Sequence, residues 1–298
     1  NMKTQHILML ALVFALLAFG QAGCKRGGKQ NTGTDGLTLE QVSGAPPSQV
    51  SKGQDFRFMV TLENKGGYDV KPGEAQVFLG GFFPELFSVA QSDLVKPNTV
   101  ELKKAVRTSG VSGGRENIVF ASNARYVGQN VNYDQKISYK SCYIYESDVR
   151  ADICFAFENS QVCSLGTGEK DKEGKLASAT IDDGPLQITS ITEERSGQNV
   201  QVKFVVENKG TGKVYAPTAN CATPEPFFEN AFLAQIETEE PLDCRPTLSG
   251  EKTGEGRIAS TILCKRNMQG SDEHVSPIRF RLRYKYVETS EATLKVTE

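Results

Sequence analysis

The chain has 298 residues, 38% of them apolar and 23% charged. At about 150 residues per domain this suggests two domains, and the composition excludes wholesale disorder. Lys and Arg number 34 against 36 Asp and Glu, a net charge of −2, which excludes a protein that coats nucleic acid through a generally basic surface.

Residues 1–24 read as a signal peptide or membrane anchor. Ile7 to Phe19 is an unbroken apolar run, long enough for a signal-peptide core and short for a bilayer-spanning helix. Gly20-Gln21-Ala22-Gly23-Cys24 follows and resembles a lipoprotein signal, which implies lipidation of Cys24. Cleavage after Ala22 and an uncleaved anchor helix remain alternatives, and Gln21 departs from the lipoprotein pattern. Lys25, Arg26 and Lys29 count mildly against export. Residues 25–36 hold no large apolar side chain and read as a flexible tether.

The remainder reads as one unit written twice. Phe58-Met59-Val60-Thr61-Leu62-Glu63-Asn64-Lys65-Gly66 recurs as Val202-Lys203-Phe204-Val205-Val206-Glu207-Asn208-Lys209-Gly210. Phe82, Phe83 and Phe87 recur as Phe227, Phe228 and Phe232, and Tyr143-x-Tyr145 recurs as Tyr284-x-Tyr286. The units are 37–158 and 184–298, with 159–183 as linker or long loop. Phe56, Phe58, Val60 and Leu62 alternate with other residues, as do Val200, Val202, Phe204 and Val206; this is the signature of strands with one buried face. The Glu-Asn-Lys-Gly ends read as turns in which Asn and Gly supply left-handed backbone. No stretch beyond the first segment carries a helical stripe. The expected class is all-β: two tandem antiparallel sandwiches.

A strand ending in Glu-Asn-x-Gly after a Gly-Gln turn (Gly53-Gln54; Gly197-Gln198-Asn199) resembles the immunoglobulin-like modules of prokaryotic, especially archaeal, cell-surface proteins of the adhesion-related, CARDB-like kind. The resemblance covers a short part of each unit and implies an extracellular sandwich of about seven strands.

Of seven cysteines, setting aside Cys24 leaves Cys142, Cys154, Cys163, Cys221, Cys244 and Cys264. Their spacing lacks the close Cys-x2-Cys pairs of zinc sites, so disulfides in an oxidising compartment are expected ahead of free thiols. The favoured pairing is Cys154–Cys163 and Cys244–Cys264, leaving Cys142 for Cys221 across the units.

Catalytic signals are weak. His274 lies in a polar loop, Gly270–His274, and reads as solvated rather than as part of a Ser-His-acid triad. Gly168 to Lys175 has the wrong spacing for a phosphate loop, with Leu176 where Ser or Thr is required. Asp182, Asp183, Glu193 and Glu194 could contribute to a calcium site, but acidic pairs in loops are usually just solvated. No cofactor or metal is expected. The phenylalanines Phe82, Phe83, Phe87, Phe227, Phe228 and Phe232 are the candidate interaction patch, because neighbours along an extended chain face opposite ways. The expectation is a non-enzymatic, membrane-tethered binding or scaffold protein on the outer face of the cell envelope. It would have a protein partner, with self-association open and no nucleic acid. Alternatives are a subunit of an extracellular filament or surface layer, and an envelope enzyme or solute-binding subunit.

Overall fold

The structure, a computed structural model, describes residues 33–157, 160, 180–181, 183–225, 231–238, 242–252, 258–268 and 273–298. The signal or anchor segment, Cys24, most of the tether, most of the linker, Cys163, Phe227 and Phe228 lie outside the described residues.

The chain within them is β1 (Leu37–Gln41), β2 (Gln49–Ser51), β3 (Asp55–Asn64), β4 (Ala75–Gly80), β5 (Val95–Pro97), β6 (Arg115–Arg125), β7 (Tyr133–Phe155), β8 (Thr180–Ile181), β9 (Leu186–Ser196), β10 (Asn199–Asn208), β11 (Lys213–Tyr215), β12 (Leu233–Thr238), β13 (Asp243–Lys252), β14 (Ile258–Asn267) and β15 (His274–Thr297). The helical elements among the described residues are short 3-10 turns, Pro84–Phe87, Gln91–Asp93 and Arg107–Ser109. None is long and apolar enough to cross a membrane. The protein is therefore mostly β, built from several sheets.

β1, β3 and β6 form a three-stranded sheet; β13, β14, β10 and β9 form a four-stranded one. The third sheet runs β11-β15-β7-β4-β5, with β12 and β2 also on β15 and β8 on β7. The alternation read from sequence sets the burial. Phe58, Val60 and Leu62 of β3 and Val200, Val202, Phe204 and Val206 of β10 are almost fully enclosed, because a strand presents every second side chain to one face.

Both long strands belong to one ribbon. β7 and β15 pair antiparallel from Phe155 opposite His274 to Tyr133 opposite Val296, a length of roughly 75 Å at about 3.3 Å per residue. The ribbon's first stretch of β7 lies under the first unit's sheet, where Phe120 meets the Tyr139 ring at 6.1 Å. Its second stretch lies under the second unit's sheet, where the Ser147 hydroxyl donates to Leu186 O at 2.7 Å and Phe204 stacks on Phe280 at 4.8 Å. β7 and β15 thus each run under both the β3 sheet and the β10 sheet, and Thr32–Glu298 forms one compact unit.

Tyr143 stands opposite Tyr286, Ile144 opposite Lys285 and Tyr145 opposite Tyr284. Tyr143 and Tyr145 are the sequence counterparts of Tyr284 and Tyr286, so exchanging the repeats maps this pairing onto itself. An approximate two-fold axis therefore passes through the Ile144–Lys285 pair. The phenylalanine motifs do not share that equivalence. Phe82 follows β4, which puts Leu79 opposite Tyr139, whereas Phe232 precedes β12, which puts Ile236 opposite Phe280.

Candidate functional site: the junction of the repeats

Four tyrosine rings fill the ribbon's centre on its core face. Tyr143 lies 6.0 Å from Tyr145 and 5.9 Å from Tyr286; Tyr284 lies 5.9 Å from Tyr145 and 6.4 Å from Tyr286. All four are essentially unexposed. A buried hydroxyl needs a partner, and each one holds a connection. The Tyr143 hydroxyl accepts from Leu37 N at 3.0 Å and the Tyr284 hydroxyl from Leu186 N at 3.1 Å. Leu37 pairs with Asn64 and Leu186 with Asn208, so the same bond appears once in each repeat. The Tyr145 hydroxyl donates to Asp183 O at 3.0 Å, and the Tyr286 hydroxyl accepts from Gly212 N at 2.7 Å. Burial pushes all four phenols well above their usual range.

The Glu-Asn-Lys-Gly turns are bonded alike. Asn64 Oδ1 accepts from Gly66 N at 3.1 Å and Asn208 Oδ1 from Gly210 N at 3.2 Å. Asn64 Nδ2 donates to Tyr68 O at 2.7 Å, and Asn208 Nδ2 to Gly212 O at 2.9 Å. Lys65 N donates to Gly36 O at 2.8 Å, and Lys209 N to Pro185 O at 2.7 Å. The expected left-handed backbone is absent from these turns; among the described residues it falls at Gly44, Gly53, Gly73, Gly81, Ser88, Gly110 and Gly197. Glycine is needed after the lysine for a different reason. A Cβ on Gly66 would sit 1.9 Å from the Tyr145 hydroxyl oxygen, and one on Gly210 would sit 2.2 Å from that of Tyr286. We expect Gly66→Ala and Gly210→Ala each to cost about 2–3 kcal/mol of overpacking, by similar amounts in urea denaturation.

The chain leading into β1 is held at this junction. Gly33 N donates to the Asp183 carboxylate, while Gly33 O accepts from Gly184 N at 2.9 Å and from Gln187 Nε2 at 2.8 Å. Arg107 pairs with the same carboxylate at 3.1 Å. Asp183, considered above as a calcium ligand, is thus engaged by the protein itself. Glu193 is too: its side chain is fully enclosed, pairs with Arg195 at 3.0 Å and accepts from Cys154 N at 3.1 Å.

Beside Tyr143 and Tyr286, burial raises the Glu288 carboxyl above its ordinary value, against a hydrogen bond from Thr211 that lowers it. A carboxyl whose folded pKa is raised favours the folded state most below its unfolded value near 4.5. That contribution is lost as pH rises through the folded value. Glu288→Gln should therefore raise the thermal midpoint at pH 7, with the gain vanishing below about pH 4.

The opposite face of the ribbon's centre is crossed by residues 216–225. Cys142 and Cys221 form a disulfide with Cα atoms 5.7 Å apart, which joins the two repeats covalently. Lys140 Nζ donates to Cys221 O at 3.0 Å and Lys285 Nζ to Ala219 O at 2.6 Å; burial lowers both ammonium pKa values. Cys244 and Cys264 are bonded across directly opposed positions of β13 and β14. Cys154 is also disulfide-bonded; Cys163, its expected partner, is outside the described residues. These bonds fit a non-reducing compartment.

Of the phenylalanines, Phe82 stacks on Phe58 at 5.2 Å and Phe87 is fully enclosed. Phe232 packs half-buried against the core. Phe83 is 72% exposed, next to exposed Leu86 and Val127, whose strands of chain meet where Val127 N donates to Leu86 O at 2.9 Å. His274 packs against the Phe155 ring at 5.6 Å. The tyrosines were legible as core residues, but their hydroxyl partners were not, because those partners are backbone groups of distant loops.

No protein-family model matches the chain, and no curated protein matches it. Among solved structures it is similar to the secreted serine protease VesC from Vibrio cholerae. That likeness has 11% identity over 86% of this chain and 51% of that one, with a TM-score of 0.20; the chain spans about half the length of that structure, and so low a score carries no argument.

Proposed function

We propose that the protein is a non-enzymatic, membrane-tethered binding or scaffold protein on the outer face of the cell envelope, made of two immunoglobulin-like units behind a lipoprotein-like segment. The observation that carries this reading is the Cys142–Cys221 bridge. It belongs to a non-reducing compartment, and it fastens two modules into one fixed body, which suits presentation of a surface. The polar groups at the junction support the same reading: the tyrosine hydroxyls, Asn64, Asn208 and Asp183 are all engaged in holding connections. The contact surface is the apolar tip of Phe83, Leu86 and Val127, an exposed cluster of the kind that marks protein contacts.

The test is mass spectrometry of the native N-terminus, with surface labelling of intact cells. A lipid on Cys24, or a retained segment 1–24 in the membrane fraction, together with labelling from outside, supports the proposal. A cytoplasmic protein with reduced cysteines overturns it. A pull-down with the mature ectodomain, wild type against Phe83→Ser, then tests the tip; a partner retained equally by both removes the patch from the account.

A further inference from the structure

We infer that the chain is built to carry tension applied between Gly33 and Glu298, a pull that loads β1 and β2 in shear against the last stretch of β15. The inference rests on the tether proposal only for where the pull enters; the strand geometry is independent of it.

β1 starts at the ribbon's centre, where Leu37 N meets the Tyr143 hydroxyl at 3.0 Å and Tyr143 stands opposite Tyr286. Further on, Gln41 Nε2 reaches Glu291 O at 3.0 Å, and β2 then lies alongside Lys295–Thr297. β1 and β2 therefore advance in the direction of the last stretch of β15. The β2–β15 pairing is the one parallel pairing among the described strands. Pulling Gly33 backwards and Glu298 forwards makes these strands slide past each other.

The resisting hydrogen bonds lie across that pull. Lys295 N donates to Ser48 O at 3.0 Å and Lys52 N to Thr297 O at 2.9 Å, and Thr297 Oγ1 adds a bond to Val50 O at 3.2 Å. β1 is held against β3 from Leu37–Asn64 to Gln41–Val60, and ladder bonds in an antiparallel pair are perpendicular to the strands. In this geometry they must yield together, whereas a pull that peels two strand ends apart breaks them in succession. The bonds at Gly33 and Gly36 clamp the point of entry. Forced unfolding is governed by the barrier to unfolding, which simultaneous rupture raises.

The test is single-molecule pulling of the full, oxidised chain through bioorthogonal handles. One pair is placed on Thr32 and Glu298. The control pair is on Lys52 and Glu298, which lie at the same end and peel β2 from β15. The expected result is a severalfold higher rupture force for the first pair, reduced by Lys52→Pro, which deletes the N–H to Thr297 O. Equal forces in the two geometries overturn the inference, and that comparison needs no variant to fold. An untethered N-terminus by mass spectrometry would remove the tether reading and leave the force result standing.

Discussion

Tyr284→Ala is expected to lower the unfolding free energy by about 3–5 kcal/mol, the usual cost of deleting a buried aromatic. The ring touches Tyr145 and Tyr286, and its hydroxyl serves Leu186 N and Ser147. Tyr284→Phe should cost about 1–2 kcal/mol, because it orphans the Leu186 amide and keeps the ring. The chain has no tryptophan, so far-UV circular dichroism in urea is the measurement. The same tyrosines predict alkaline behaviour. All four pKa values are raised by burial. Their contribution to stability is therefore complete below the unfolded value near 10 and drains away as pH rises through the folded values. A phenolate absorbance titration should show these four and Tyr139, which is equally enclosed and likewise raised by burial, ionising together with loss of the dichroism signal. Half-buried Tyr133, pushed up to about 12 mainly by burial, should ionise before them.

The second large effect is loss of the cross-repeat bridge. Cys142 and Cys221 are 79 residues apart, and closing a loop of that size in the unfolded chain is worth about 4 kcal/mol on the chain-entropy model. Cys142→Ser with Cys221→Ser should lower the urea midpoint accordingly and free residues 216–225 from the ribbon. Protection of Lys140 and Lys285 against amine-reactive labels should fall with it, since both ammonium groups lie under that loop. Unchanged labelling of both lysines would mean the loop is held by something other than the bridge.

Much of this architecture could be read from the residues. The alternation in β3, β10, β7 and β15 is explicit, and the repeated Glu-Asn-Lys-Gly turn carries the same Asn-to-Gly bond at Asn64 and Asn208. Three things were hidden. The length of the ribbon was masked by Ser141 and Ser147, polar residues on the buried face that interrupt the apolar pattern on either side of the ribbon's centre, where β7 passes from one repeat to the other. The glycine requirement at Gly66 and Gly210 comes from a tyrosine about 75–80 positions away, which no local turn rule can anticipate. The phenylalanine motifs share spacing without sharing a place beside the ribbon, because β4 precedes one and β12 follows the other. Local pattern fixes which face of a strand is buried; it does not fix which distant strand becomes its neighbour.

The two repeats stand or fall together because each shares the β7–β15 ribbon with the other. Scanning calorimetry of the full chain carrying Cys142→Ser and Cys221→Ser, which removes the covalent staple and leaves the ribbon, tests it most directly. A single transition is expected, with calorimetric and van't Hoff enthalpies that agree. Two resolved transitions, each carrying about half of the total enthalpy, would contradict it.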